Sequence, residues 1–269
     1  MTMTWKHFPA REHGFFRAPV LLWGATDAVL IDGGFTMEDG RKLAAAIHAA
    51  GKRLTTIYVT HSDPDYYFSL GPVRTAFPQA RVIAAPTTVA AIRANVQKKI
   101  DTWAPKLKEN GPQSLDEVVI PAPSDQKMLL LEDQEIQMVD VAGRPNARTV
   151  WVPALRALFG GVLVFSGVHV WVADTATPAE RQAWLRSLDG LEALAPAVVV
   201  PGHLGEGAAL DRSAIDYTRD YLRAFEQELA KAADSAALIA AMKARYPEAG
   251  MGVALEIGAK VAKGEMKWG

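Results

Sequence analysis

No cysteine occurs among the 269 residues of the chain. Disulfide frameworks, thiolate zinc sites and cysteine nucleophiles are therefore excluded, and any metal would have to sit on His, Asp, Glu or water. Blocks of like charge are missing too: 29 Lys and Arg against 30 Asp and Glu leave a formal net charge of −1. A basic face that tracks phosphates has no support in that balance, so nucleic acid is not an expected partner. No run approaches the roughly 18 apolar residues that a membrane span needs. The opening MTMTWKHFPAREHG also lacks a basic start followed by an apolar stretch. A soluble, cytoplasmic protein without membrane association is expected. Internal repeats at solenoid or propeller spacing are likewise lacking.

What the chain does have is 49% hydrophobic residues, enough to fill the core of one large domain. Val20 to Trp23 and Ala28 to Ile31 flank Gly24-Ala25-Thr26-Asp27 and predict a hairpin. Leu43, Ala46, Ile47 and Ala50 recur at helical spacing within Met37 to Ala50, and Gly51 supplies the stop. A strand over Thr56 to Thr60, a short helix ending by Phe77, a strand over Arg81 to Ala84 and an amphipathic stretch from Thr87 to about Lys108 follow. The middle turns β-rich, with short runs at 118–120, 127–131, 136–141, 149–152, 157–159 and 168–172. Helical spacing returns after Ala179, the strand 197–200 runs into Pro201-Gly202-His203, and residues 213–269 are largely helical. Two sheets packed face to face with helices outside would bury both apolar sheet faces.

The stretch His61-Ser62-Asp63-Pro64-Asp65-Tyr66 leaves a buried strand and crowds one imidazole and two carboxylates into a tight corner. With Asp32-Gly33 after the second strand, Gly160-Gly161 after another, and Pro201-Gly202-His203 near the end, it resembles the metallo-β-lactamase superfamily over roughly residues 18–205. That resemblance implies an α/β fold, a four-layer αββα sandwich of two mixed sheets; beyond its reach, the helical pattern of 213–269 is expected to form an extension packed on the domain formed by 1–212. The resemblance also implies a metal site with His61, Asp63, Asp65 and His203 as ligands. Where the family places further ligands, this chain has Asp63 and Tyr66 for two corner histidines, Arg144 for a third histidine and Val162 for a bridging aspartate. One divalent metal at most, zinc, manganese or iron, is therefore expected, or none. The competing account of the corner is structural: Asp63 as an N-cap, Pro64 at the first helical position and Asp65 facing the helix dipole.

Asp65, His169 and Tyr66 are the candidate catalytic groups, with His169 or Asp174 as replacement ligand or base and Tyr66 as phenolic donor. Arg144, if the family register holds, would grip an anionic substrate with its planar fork. The expected function is hydrolysis of a small, anionic ester or amide by an altered, at most mononuclear site. The alternative is a non-catalytic protein that binds a small molecule or partner in the same cleft. β-Lactam hydrolysis is not expected with so many ligands replaced. The helical tail either covers a cleft edge or pairs two subunits as a homodimer.

Overall fold

The computed structural model describes residues 3–268. Strands β1 (Thr4–His7), β2 (Val20–Trp23) and β3 (Asp27–Ile31) form an antiparallel meander. Helix α1 (Met37–Ala50) then crosses to β4 (Arg53–Val59), which lies parallel to β3 with Leu30 opposite Ile57. Thr36 and Asp39 close a capping box at the start of α1, and Gly51 ends it with φ 64°. Helix α2 (Leu70–Ala76), β5 (Arg81–Ala84), α3 (Pro86–Leu107) and β6 (Ala122–Pro123) complete a six-stranded mixed sheet in the order β1-β2-β3-β4-β5-β6.

The second sheet has five strands: β7 (Met128–Leu131), β8 (Gln134–Asp140), β9 (Arg148–Val152), β10 (Ala157–Phe159) and, beyond a two-residue strand β11 (Phe165–Ser166) and helix α4 (Pro178–Ala193), β12 (Val198–Val200). Their spatial order is β12-β10-β9-β8-β7, with β12 parallel to β10 and the rest antiparallel. Strand β13 (His203–Leu204) pairs with β11, and helices α5 (Ser213–Lys231), α6 (Ser235–Arg245) and α7 (Gly252–Ala262) follow.

Period-two alternation distributes the side chains into layers. Leu22, Val29 and Tyr58 of the first sheet meet Ile136, Val150 and Phe159 of the second in one buried cluster. Their sequence neighbours Leu21, Leu30 and Ile57 face the other way, with Leu43 and Ile47 of α1. Leu158 and Val199 do the same on the second sheet, in the cluster that holds Trp184 and Leu188 of α4 and Leu222 and Phe225 of α5. Helices thus cover both outer faces of two packed sheets, the expected αββα layering.

Two expected strands are absent. Residues 118–120 carry no ladder, and the chain pairs only at Ala122–Pro123 instead. Residues 168–172 are buried almost throughout, but their partners are scattered: Val168 bridges Gly250, the His169 N–H donates to the Gly250 carbonyl at 2.8 Å, and the Tyr217 hydroxyl donates to the Val168 carbonyl at 2.9 Å. The apolar run is satisfied by the C-terminal segment, through Gly250 between α6 and α7 and Tyr217 of α5, rather than by a sheet.

Candidate functional site

The strand ends converge on a cluster of buried polar groups. Asp32, at the end of β3, sits at φ 62°, a left-handed conformation that aspartate tolerates better than most residues. Its carboxylate accepts from the Thr60 backbone N–H at 2.7 Å and from the Thr60 hydroxyl at 2.8 Å, tying β3 to the end of β4. The corner that follows makes a single 3₁₀ turn, Pro64–Tyr66, with Pro64 at its first position. Asp63 occupies the cap position, yet its carboxylate makes no capping bond. It accepts from Lys99 of α3 at 3.2 Å instead and lies 3.5 Å from Nδ1 of His61. The N-cap account of Asp63 is thereby corrected, while Pro64 stands where that account put it.

The residue that organises this cluster is one the sequence reading did not single out. Arg17, just ahead of β2, is fully buried. Its Nη2 donates to Asp32 at 3.1 Å, its Nε to the Asp65 backbone carbonyl at 3.2 Å, and its Nη1 to the Gly202 carbonyl. The Asp65 carboxylate lies 3.5 Å from Nε, and the Tyr66 ring covers the guanidinium face with 3.5 Å between Cζ and the ring centroid. Gly202 is obligatory here, because a Cβ would collide with the Gly161 carbonyl and meet Arg17 at 2.9 Å. His203 turns its Nδ1 to the Phe15 carbonyl at 2.6 Å and stacks on Phe165 with centroids 4.7 Å apart. Its Nε2 faces Asp65 at 3.6 Å.

Burial pushes the Asp65 carboxyl up to about 7 against the pull of Arg17, with the charge of Asp63 adding to the rise. Burial also pushes both imidazoles down: His61 to about 4, where the attraction of Asp63 is outweighed, and His203 to about 3, with Arg17 helping. Both folded values lie below the ordinary 6.5, so each neutral imidazole contributes stability that is present above about pH 6.5. That contribution is lost as pH falls towards the folded value. The expected result in imidazole ¹⁵N NMR spectra is two rings still neutral at about pH 5.5. A charged His61 or His203 at that pH would contradict the buried, guanidinium-flanked placement.

Two adjoining cavities open beside the cluster. The larger, of about 670 Å³, is lined by His61, Asp63, Arg144 and Asp174, by Lys98 and Lys99, and by the indoles of Trp103 and Trp268. The smaller, of about 40 Å³, is lined by Asp65, Tyr66, Val162 and His203 and shares Asp63, Lys99 and both tryptophans with the larger. Val162, the residue aligned with a bridging carboxylate in the sequence, presents an apolar wall to the smaller cavity. The Tyr66 hydroxyl and Asp65 Oδ2 are buried without hydrogen-bond partners. Arg144 lays its guanidinium over Trp184 of α4 at 4.3 Å, and its Nη2 is also buried without a partner. Asp174 accepts from the Trp268 indole N–H at 2.9 Å; burial, then the charge of Asp63, pushes its carboxyl up to about 6.

His169 stands apart from these side chains. It lines neither cavity, and its Nδ1 meets the Tyr221 hydroxyl of α5 at 2.9 Å, so its expected catalytic role has no geometry behind it. Lys99, Trp103 and Trp268 were missed along with Arg17. The first two had a signal: Lys99 and Trp103 continue the helical spacing of Ile92 and Val96 on α3, at the edge of the buried stripe and beside the polar residues Asn95, Lys98 and Thr102.

The expected metal ligands do not fit an ion. Among the described residues no group of three or more His, Asp or Glu side chains is arranged to hold one. His61 is turned to Asp63, His203 is anchored on Phe15, and the permanent charge of Arg17 already lies against Asp32 and Asp65.

A family model, that of the metallo-β-lactamase superfamily, matches residues 14–203, and the chain belongs to that superfamily. No curated protein matches it. Among solved structures it is similar to the metallo-β-lactamase family protein TTHA1429 from Thermus thermophilus, at 18% identity and a TM-score of 0.65 over 97% of this chain and 91% of that one. It is also similar to the DIM-1 metallo-β-lactamase, at 18% identity and a TM-score of 0.55 over 82% and 92% of the two chains. A metallo-β-lactamase from Pontibacter korlensis gives 17% and 0.54 over 82% and 94%. At such identities the likeness is one of fold. Among the described residues no helix is long and apolar enough to cross a membrane.

Proposed function

We propose that this superfamily member binds a small anionic molecule with an apolar body in the larger cleft, with Arg144 as its principal clamp. The observation that carries the reading is the buried Nη2 of Arg144, which has no hydrogen-bond partner and belongs to a guanidinium placed over the Trp184 ring at the cleft wall. A buried donor left unpaired costs about 1–3 kcal/mol, and a ligand carboxylate or phosphate would remove that cost. The acidic side chains around it are engaged elsewhere: Asp63 with Lys99, Glu180 with Thr177, and Asp174 with Trp268. Lys98 and Lys99 add positive charge, and Trp103 and Trp268 offer apolar faces. Metal-dependent hydrolysis, the chemistry typical of the superfamily, finds less support, because the donors that would hold the ion do not converge.

The test is a calorimetric and thermal-shift screen of small aryl carboxylates and phosphates against wild type and Arg144→Ala. Ligands that bind only the folded protein raise its midpoint. Losing hydrogen bonds to a charged group is expected to weaken binding about 10- to 150-fold, the equivalent of ~1.5–3 kcal/mol. Arg144→His should not rescue it, since imidazole lacks the planar fork. Equal affinities for wild type and Arg144→Ala would remove Arg144 from the site.

A further inference from the structure

We propose that Arg17 is a built-in cation that takes the structural place of a metal ion, making this a superfamily member whose strand-end loops are held together without metal. This rests on the geometry around Arg17 and is independent of what Arg144 binds.

A metal in such a cluster would do two things: neutralise buried carboxylates and pin several loops to one point. Arg17 does both. Its guanidinium is ion-paired to Asp32 at the end of β3 and lies 3.5 Å from the carboxylate of Asp65 in the corner after β4. Its Nε and Nη1 donate to the backbone carbonyls of Asp65 and of Gly202 in the turn after β12. One side chain therefore fastens the segment before β2 to the ends of β3, β4 and β12. Arginine suits this because its donors point in fixed, divergent directions and its charge survives burial.

The flanking structure is built around that fork. The Arg17 backbone bridges His203, and the Phe16 carbonyl accepts from the Leu204 N–H at 2.7 Å, so the guanidinium enters beside the turn it holds. Tyr66 closes one face of the guanidinium and stands between His61 and His203, with ring centroids 5.1 and 6.1 Å away. An ion shared by His61, Asp65 and His203 would have to displace that ring and sit against a fixed positive charge.

The experiment uses the full chain purified without chelator. Elemental analysis is expected to find zinc, manganese and iron well below one per chain, and the thermal midpoint is expected to stay put when a strong chelator, zinc or manganese is added. Arg17→Ala leaves two buried carboxylates without their cation and should lower the midpoint on the order of 10 °C. Should that variant not fold, the wild-type arms decide the matter alone. One tightly held ion per chain whose removal lowers the midpoint would overturn the proposal, as would an Arg17→Ala protein as stable as wild type. Either result leaves the anion-binding comparison on Arg144 untouched.

Discussion

Replacing Asp32 by alanine is expected to destabilise the fold by about 3–5 kcal/mol, the usual cost of removing one partner from a buried ion pair. Asp32 is wholly buried and accepts from Arg17 Nη2; it also accepts both donors of Thr60. Alanine would strand the guanidinium and leave the Thr60 N–H unpaired, and at φ 62° it would add backbone strain. Asparagine separates these effects. It tolerates the left-handed conformation and keeps one acceptor, so Asp32→Asn should cost distinctly less than Asp32→Ala. Urea denaturation of the three proteins measures the difference. Equal losses for the two variants would mean that the charge, rather than shape and hydrogen bonding, accounts for the whole effect of Asp32.

Much of the scaffold was legible because its elements are locally consistent. The helix Met37–Ala50 carries an apolar stripe, a cap and a glycine stop, and it forms over those residues. The strand Arg81–Ala84 and the hairpin of β2 and β3 are apolar runs bounded by turn residues. Strand β1 was not legible: Thr4-Trp5-Lys6-His7 has no apolar alternation, since as an edge strand it draws its order from the ladder with β2. The run 168–172 misled for the opposite reason, being apolar enough for a strand while its partners, Gly250 and Tyr217, lie far along the chain in the C-terminal segment.

At the site, His61, Asp63, Asp65 and His203 could be picked out because strand ends deliver them in family order. What the order of motifs could not convey is that Arg17 would lie among them. A lone arginine in FFRAPVLLW has no periodicity to betray it; only the burial of a charge amid apolar neighbours hints at waiting carboxylates. Trp268 was equally hidden, since an indole joins the wall of a cleft only through the path of the whole C-terminal segment. That segment covers the cleft edge, one of the two outcomes expected of it, by way of the Trp268 bond to Asp174 and its edge-to-face packing on Trp171.

The second large effect is expected at Trp184, where core and cleft share one side chain. Its indole is buried on α4, donates from Nε1 to the Leu163 carbonyl at 2.9 Å, packs near Phe165 and carries the Arg144 guanidinium on its face. Trp184→Ala should cost about 3–5 kcal/mol, the range for truncating a large buried aromatic, because a cavity opens between α4 and the second sheet. Trp184→Phe keeps a ring for Arg144 but loses the N–H, leaving the Leu163 carbonyl unpaired at about 1–3 kcal/mol. A desolvated cation on an aromatic face contributes about 2 kcal/mol, so Arg144→Ala should cost measurably less in the Trp184→Ala background than in wild type. A double-mutant cycle followed by urea denaturation reads that difference directly. Strict additivity would show that Arg144 is held by something other than the indole, and the preorganised clamp on which anion binding depends would lose its support.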